Sequence, residues 1–130
     1  MINKSRTAQE KQWHNTVAEW AKESGWLQDT FGGFVSMPYD FHIDHIIGAS
    51  KKRKINLVSV KVGEFAVIPI PIQLHDITSN HPLNRTLRPA TFRAYIGDEK
   101  LLFKSMINAM KDDGIEIPFS DEIIESIVMG

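Results

Sequence analysis

Along this chain, apolar residues recur at spacings of three and four in some stretches and run together in others. Trp13, Val17, Trp20 and Ala21 form one such stripe, the mark of an amphipathic helix with a single buried face. Thr7-Ala8-Gln9-Glu10, just ahead of it, has the form of a capping box, with Thr at the N-cap and Glu three residues on. The spacing predicts a helix running to about Glu23 and ended near Ser24-Gly25. Trp26-Leu27 continues toward the core, and residues 28–38, with Gly32-Gly33 and Pro38, read as a loop. The three tryptophans, at 13, 20 and 26, are expected in the core, and His14 between Trp13 and Asn15 is expected in solvent.

The pattern then changes to short apolar, β-branched runs. Phe41 to Ile47 reads as a strand closed by Gly48, followed by a basic loop, Lys51–Lys54. Ile55 to Val62 is a second strand, turned by Gly63. Phe65 to Ile72 is a third apolar run containing Pro69 and Pro71; proline lacks a ladder donor, so this strand belongs at an edge or ends early. Gln73 to Asn80 predicts a short helix ended by His81-Pro82, because a residue before proline avoids the helical region. Helices are predicted over Arg88–Ile96 and Asp98–Lys111, and Ser120-Asp121-Glu122 caps a last one with Ile123, Ile124, Ile127 and Val128 on its apolar face. The apolar faces within 98–128 fit helix packing or a homodimer seam. The expected class is α+β, in a single domain over residues 1–130.

Composition narrows the setting. No apolar run approaches the ~18 residues needed to cross a bilayer, and the first residues have no apolar segment after their charges, which argues against a signal peptide. No membrane association is expected. With no cysteine, disulfides, thiol nucleophiles and thiolate zinc sites are excluded, and the cytoplasm of a bacterial host is the expected compartment. The formal net charge of −1 hides a polarity. Eight bases face three acids between His42 and Gly97, whereas three bases face eight acids from Asp98 onward. A locally basic middle suits a polyanionic partner.

Chemistry concentrates in the same middle. Asp44-His45 sits at the end of the first strand, His75-Asp76 on the short helix, and His81 just beyond. Ionisable groups in an apolar strand are costly to bury unless paired. Hydrolysis of a phosphodiester needs activated water, neutralised phosphate charge and a stabilised leaving oxygen. A divalent metal held by a carboxylate and one or two imidazoles can supply the last two, and a neutral imidazole can take the proton from water. Strand neighbours point to opposite faces, so Asp44 and His45 share one site only if the chain twists there. His81 lies six residues from His75 and joins it only if the helix has ended first.

This order of strand, Asp-His, basic loop, strand and helix histidine resembles the HNH (His-Me finger) nucleases over roughly residues 40–85. Val67-Ile68-Pro69-Ile70-Pro71-Ile72-Gln73-Leu74-His75 follows the frame leading into that family's helix, with Pro71 and Leu74 where many members carry zinc-binding cysteines. The N-terminal helix, the IPIPIQLHD frame, His81 and the segment Phe92–Gly97 are similar in order to the phage Ref-type nucleases, which act on DNA with the RecA filament. The resemblance implies a ββα-metal finger (40–85) between an N-terminal helix and loop (1–39) and C-terminal helices (86–130). It implies His45 as general base and Asp44, His75 and His81 as ligands of Mg²⁺ or Mn²⁺, with Zn²⁺ as a further candidate. It further implies DNA and a RecA-type recombinase filament as partners. Lys51, Lys52, Arg53, Lys54, Arg85 and Arg88 become candidate phosphate contacts. The family's middle asparagine, which orients the base, has Ala66 in its place. That departure leaves open a catalytically silent DNA- or recombinase-binding module on the same fold. An interaction protein with a purely structural metal site is a third reading.

Overall fold

Helix α1 (Ala8–Ser24) starts where the capping box places it. Thr7 Oγ1 accepts from the Glu10 amide at 3.1 Å, and Glu10 Oε1 accepts from the Thr7 amide at 2.8 Å. Gly25, left-handed at φ 79°, ends the helix, and the chain at once re-enters a short helix, α2 (Trp26–Phe31). Part of the expected loop is therefore helical, held by burial of Trp26, Leu27 and Phe31; one and a half turns are too few to show a period in sequence. The computed structural model describes residues 6–130.

Strand β1 (Phe41–His45) pairs antiparallel with β4 (Val67–Pro71), from Phe41↔Pro71 to His45↔Val67. The Ile72 amide donates to Asp40 O at 2.8 Å and the Ile46 amide to Ala66 O at 3.0 Å. Even-numbered residues of β4 therefore turn their backbone groups toward β1, and odd-numbered ones turn them away. Pro69 and Pro71 occupy odd positions, so neither removes a ladder bond. The expectation of an edge strand holds, since among the described residues β1 is the only strand beside β4. Yet all five residues of β4 are buried, beneath α1, α2 and α5 (Glu99–Asp112).

Between β1 and β4 the chain makes a separate hairpin of β2 (Lys52–Ile55) and β3 (Val58–Lys61). The expected basic loop is thus itself a strand, and the expected second strand is broken by a two-residue turn. Asn56 (φ 51°) and Leu57 (φ 69°) are both left-handed, the type I′ geometry of tight hairpins. A leucine in that region costs on the order of 1–2 kcal/mol, and without a glycine the turn carries no familiar sequence signal. The hairpin root is closed by Lys51 O, which accepts from Val62 and Gly63 at 2.9 and 3.1 Å. One hairpin face lies on α6 (Asp121–Met129), where Arg53 Nε donates to Ser126 O at 3.3 Å.

Helix α3 (Ile72–His75) is a single turn, shorter than expected, because Asp76 Oδ1 accepts from the Thr78 amide (2.8 Å) and hydroxyl (2.7 Å) and starts a turn. The loop beyond is tied back by buried Asn84. Its Nδ2 donates to Gln73 O and Asp76 O, and its Oδ1 accepts from the Thr86 and Leu87 amides, all within 3.2 Å. Helices α4 (Pro89–Tyr95), α5 and α6 follow close to their expected limits. The faces of α5 and α6 pack within the chain, through Phe103, Met106, Ile107, Met110, Ile124 and Ile127. All three tryptophans join the core, each indole N–H finding an acceptor: Phe65 O, Asp113 Oδ2 and Ser105 Oγ. The architecture is α+β, and no helix among the described residues is long and apolar enough to cross a membrane.

Gly63 packs its α-carbon against the Gly48–Ala49 backbone, where an added Cβ would run into both carbonyl oxygens. Because backbone rather than a flexible side chain blocks it, Gly63→Ala should cost about 2–3 kcal/mol. The check is a lowered urea midpoint at unchanged m-value.

Candidate active site on the two faces of strand β1

Strand alternation sends the Asp44 and His45 side chains to opposite faces of β1. On one face, Asp44 Oδ1 lies 3.2 Å from Nε2 of His75, which α3 presents as its last residue. The other nitrogen of His75, Nδ1, lies 3.2 Å from His42 Nδ1. His42 precedes Asp44 by two residues and so shares its face. Arg85 Nη2 touches Asp44 Oδ2, and Arg85 Nη1 is 3.4 Å from Glu99 Oε2. Glu99 also accepts from Arg93 Nε at 2.8 Å and Nη2 at 3.2 Å. Burial, the largest single influence, works to raise the Glu99 carboxyl, but the hydrogen bonds from Arg93 and from its own backbone amide, with the charges of Arg93 and Arg85, together hold the group below its ordinary value.

Three expectations change here. His81 does not join Asp44 and His75. Its Nε2 donates to Phe34 O at 2.9 Å and its Nδ1 accepts from the Leu83 amide at 3.0 Å, so both ring nitrogens are spent on the loop backbone. Arg85 is not a surface contact: its side chain is 17% exposed, wedged between two carboxylates, and burial lowers its pKa. Arg53 pins the hairpin to α6. Lys51, Lys52, Lys54 and Arg88 are exposed, with Arg88 Nη1 reaching His81 O at 3.3 Å.

On the other face, His45 Nε2 lies 2.6 Å from Glu64 Oε1. A carboxylate oxygen accepts, so Nε2 carries the proton and Nδ1 is left as the proton-accepting nitrogen. Glu64 is nearly buried, with its side chain 8% exposed, while His45 remains 29% exposed. His14 completes the group. Its Nδ1 accepts from Arg6 Nη1 at 3.1 Å and its Nε2 donates to Glu64 O at 2.7 Å, 3.5 Å from Glu64 Oε1. His14, His45 and Glu64 each bring a ligand atom within 4.8 Å of the others and could hold a metal. Such an ion would displace two hydrogen bonds already made, His14 to the Glu64 carbonyl and His45 to its carboxylate.

Sequence reasoning passed over both partners of His45. Glu64 is the only acid between Asp44 and Asp76, in an otherwise apolar stretch. It stands two residues before Ala66, which is buried in the core. His14 is not solvated but 7% exposed; its spacing of three from Val17 and seven from Ala21 is the signal that could have placed it on the buried stripe. Compared with models of protein families, with curated proteins and with solved structures, the chain matches none.

Burial holds the His14 pKa below its ordinary 6.5, against the opposing Glu64 backbone bond. The unfolded chain then binds the proton more readily, so stability is full above about pH 6.5 and falls as pH drops toward the folded value. The unfolding temperature should decline through that window. His14→Gln, which can keep both hydrogen bonds, should flatten the decline.

Proposed function

We propose that this chain is a metal-dependent endonuclease of the HNH type that hydrolyses DNA phosphodiester bonds, phage- or prophage-encoded and linked to recombination. The observation that carries the reading is the 2.6 Å bond from His45 to buried Glu64, next in sequence to a carboxylate that meets an imidazole. A base needs an orienting partner, and the family's asparagine is absent. Glu64 fills that role from a different position. The antiparallel pair β1–β4 leading into α3 supports a ββα finger, with the β2–β3 hairpin as an excursion between its strands.

In this reading His45 Nδ1 takes the proton of the attacking water, and Glu64 stabilises the imidazolium that forms. Asp44 Oδ1 and His75 Nε2 would hold the cation. The two atoms lie 3.2 Å apart, near enough for one divalent ion to take both. When bound, a divalent ion supplies Lewis-acid neutralisation of phosphate charge. His42 steadies the His75 ring through its other nitrogen, as partners of metal-bound histidines do. Base and ligands lie on opposite faces of β1, so in this reading the scissile phosphate would have to cross the edge of that strand away from β4 to meet both. Lys51, Lys52, Lys54 and Arg88 serve the flanking phosphates.

A second reading, a silent DNA- or recombinase-binding module, draws support from Arg85, whose guanidinium already neutralises Asp44.

Cleavage of single-stranded and supercoiled DNA, in Mg²⁺, Mn²⁺ or EDTA and with or without RecA filament, separates the two. His45→Ala should lower cutting by about 10²–10⁴-fold and Glu64→Gln by about 10–100-fold. EDTA should abolish cutting and leave the unfolding temperature within a few degrees, unlike a metal that holds the fold. DNA binding with no cutting in any metal would select the silent module.

A further inference from the structure

Neither face of β1 accounts for the tip of the β2–β3 hairpin. Leu57 is 94% exposed, and its neighbour Val58 is 61% exposed. Both turn residues adopt left-handed backbone that leucine disfavours, so the chain places a large apolar group at the outermost point of a rigid two-residue turn. The hairpin is anchored at its root and along one face. Lys51 O closes its root, and Arg53 fixes one face to α6. Along β2, Lys52 and Lys54 alternate onto the other face, opposite Lys61 and Ser59, and both are exposed. Among the described residues, Lys51, Lys52 and Lys54 enter no ion pair.

We propose that the β2–β3 hairpin is a duplex-engaging arm, with Leu57 wedging into the base stack from a groove and Lys52 and Lys54 gripping the flanking phosphates. The inference rests on the nuclease reading for its partner and extends it to double-stranded DNA. Apolar wedges that part base steps are an established means of kinking a duplex, and lysines beside the wedge supply the sequence-independent grip. The arm's root runs through Val62 and Gly63 into Glu64, so whatever the arm holds is tied to the His45 site. An apolar tip of two residues on a basic ribbon favours a duplex over a lipid surface, where a broad apolar face would be expected.

The test uses the full chain carrying His45→Ala, so that the DNA survives, and a duplex with 2-aminopurine at its centre. Binding is read by anisotropy across a salt series, and unstacking by 2-aminopurine fluorescence. The parent should bind and raise the fluorescence. Adding Leu57→Gly, which suits the left-handed turn, should keep or raise the unfolding temperature, abolish the fluorescence rise and weaken binding about tenfold. Leu57→Asn, also tolerant of that backbone, should behave alike. Lys52→Gln with Lys54→Gln should flatten the slope of log K against log salt by about 0.9 per lysine. Unchanged binding and fluorescence in the Leu57 variants, with wild-type cutting intact, overturns the arm and leaves the nuclease standing. No duplex binding by the parent overturns the arm while single-strand cutting by the wild type still upholds the nuclease; loss of both removes both. Leu57-dependent capture by phosphatidylserine vesicles, with Leu57-independent DNA binding, would make the hairpin a membrane arm instead.

Discussion

A carboxylate buried as deeply as that of Glu64 must be met by donors, and much of this fold is arranged around that demand. His45 comes to it from β1, and His14 and Arg6 come from the start of the chain and helix α1. The backbone around it is held as well. His14 donates to the Glu64 carbonyl and Trp13 to the Phe65 carbonyl next along. The same few residues therefore dock α1 on the sheet, close the hairpin root beneath Gly63 and set the His45 ring. Removing the carboxylate would leave donors from two elements without their shared acceptor, which is more costly than never having made the bond.

The opposite face of β1 is built differently. There a relay of full charges runs from Asp44 through Arg85 and Glu99 to Arg93. Arg85 can reach Asp44 because Asn84, saturated with four hydrogen bonds, folds the loop after α3 back over the strand, and because the Arg85 amide itself donates to Leu74 O at 2.7 Å. One strand thus separates an imidazole held by a carboxylate from a carboxylate held by a guanidinium. The two environments serve different ends: the first leaves a nitrogen able to take a proton, and the second fixes negative charge near the helix that carries His75.

Helices α1, α5 and α6 were readable from sequence because each presents an apolar period and a recognisable cap, as Thr7, Asp98 and Ser120 do. The hairpin was not, because its turn uses Asn-Leu where glycine is the usual signal, and because Lys52–Ile55 has the composition of a loop. Among the site residues, Asp44, His45 and His75 stood out by chemical type. Glu64 and Asn84 did not, since their importance lies in burial and in which backbone groups they reach, and neither is visible along a single chain. His81 has the chemistry of a ligand, but Pro82 and the turn after Asp76 direct both its nitrogens to backbone.

The alternating prolines of β4 have a bearing on the chain before it is folded. Phe65 to Ile72 is its most apolar, most β-prone run, and it stays uncovered until α1 and α5 pack over it. Such a segment is the usual seed for pairing between unfolded copies. With Pro69 and Pro71 on one edge, that edge has no donors to offer at those positions, and strands from other copies cannot stack through it indefinitely. The spacing that spares the β1 ladder also makes the core strand a poor template for aggregation, so a sequence that must bury this much apolar surface carries its own safeguard while it does so.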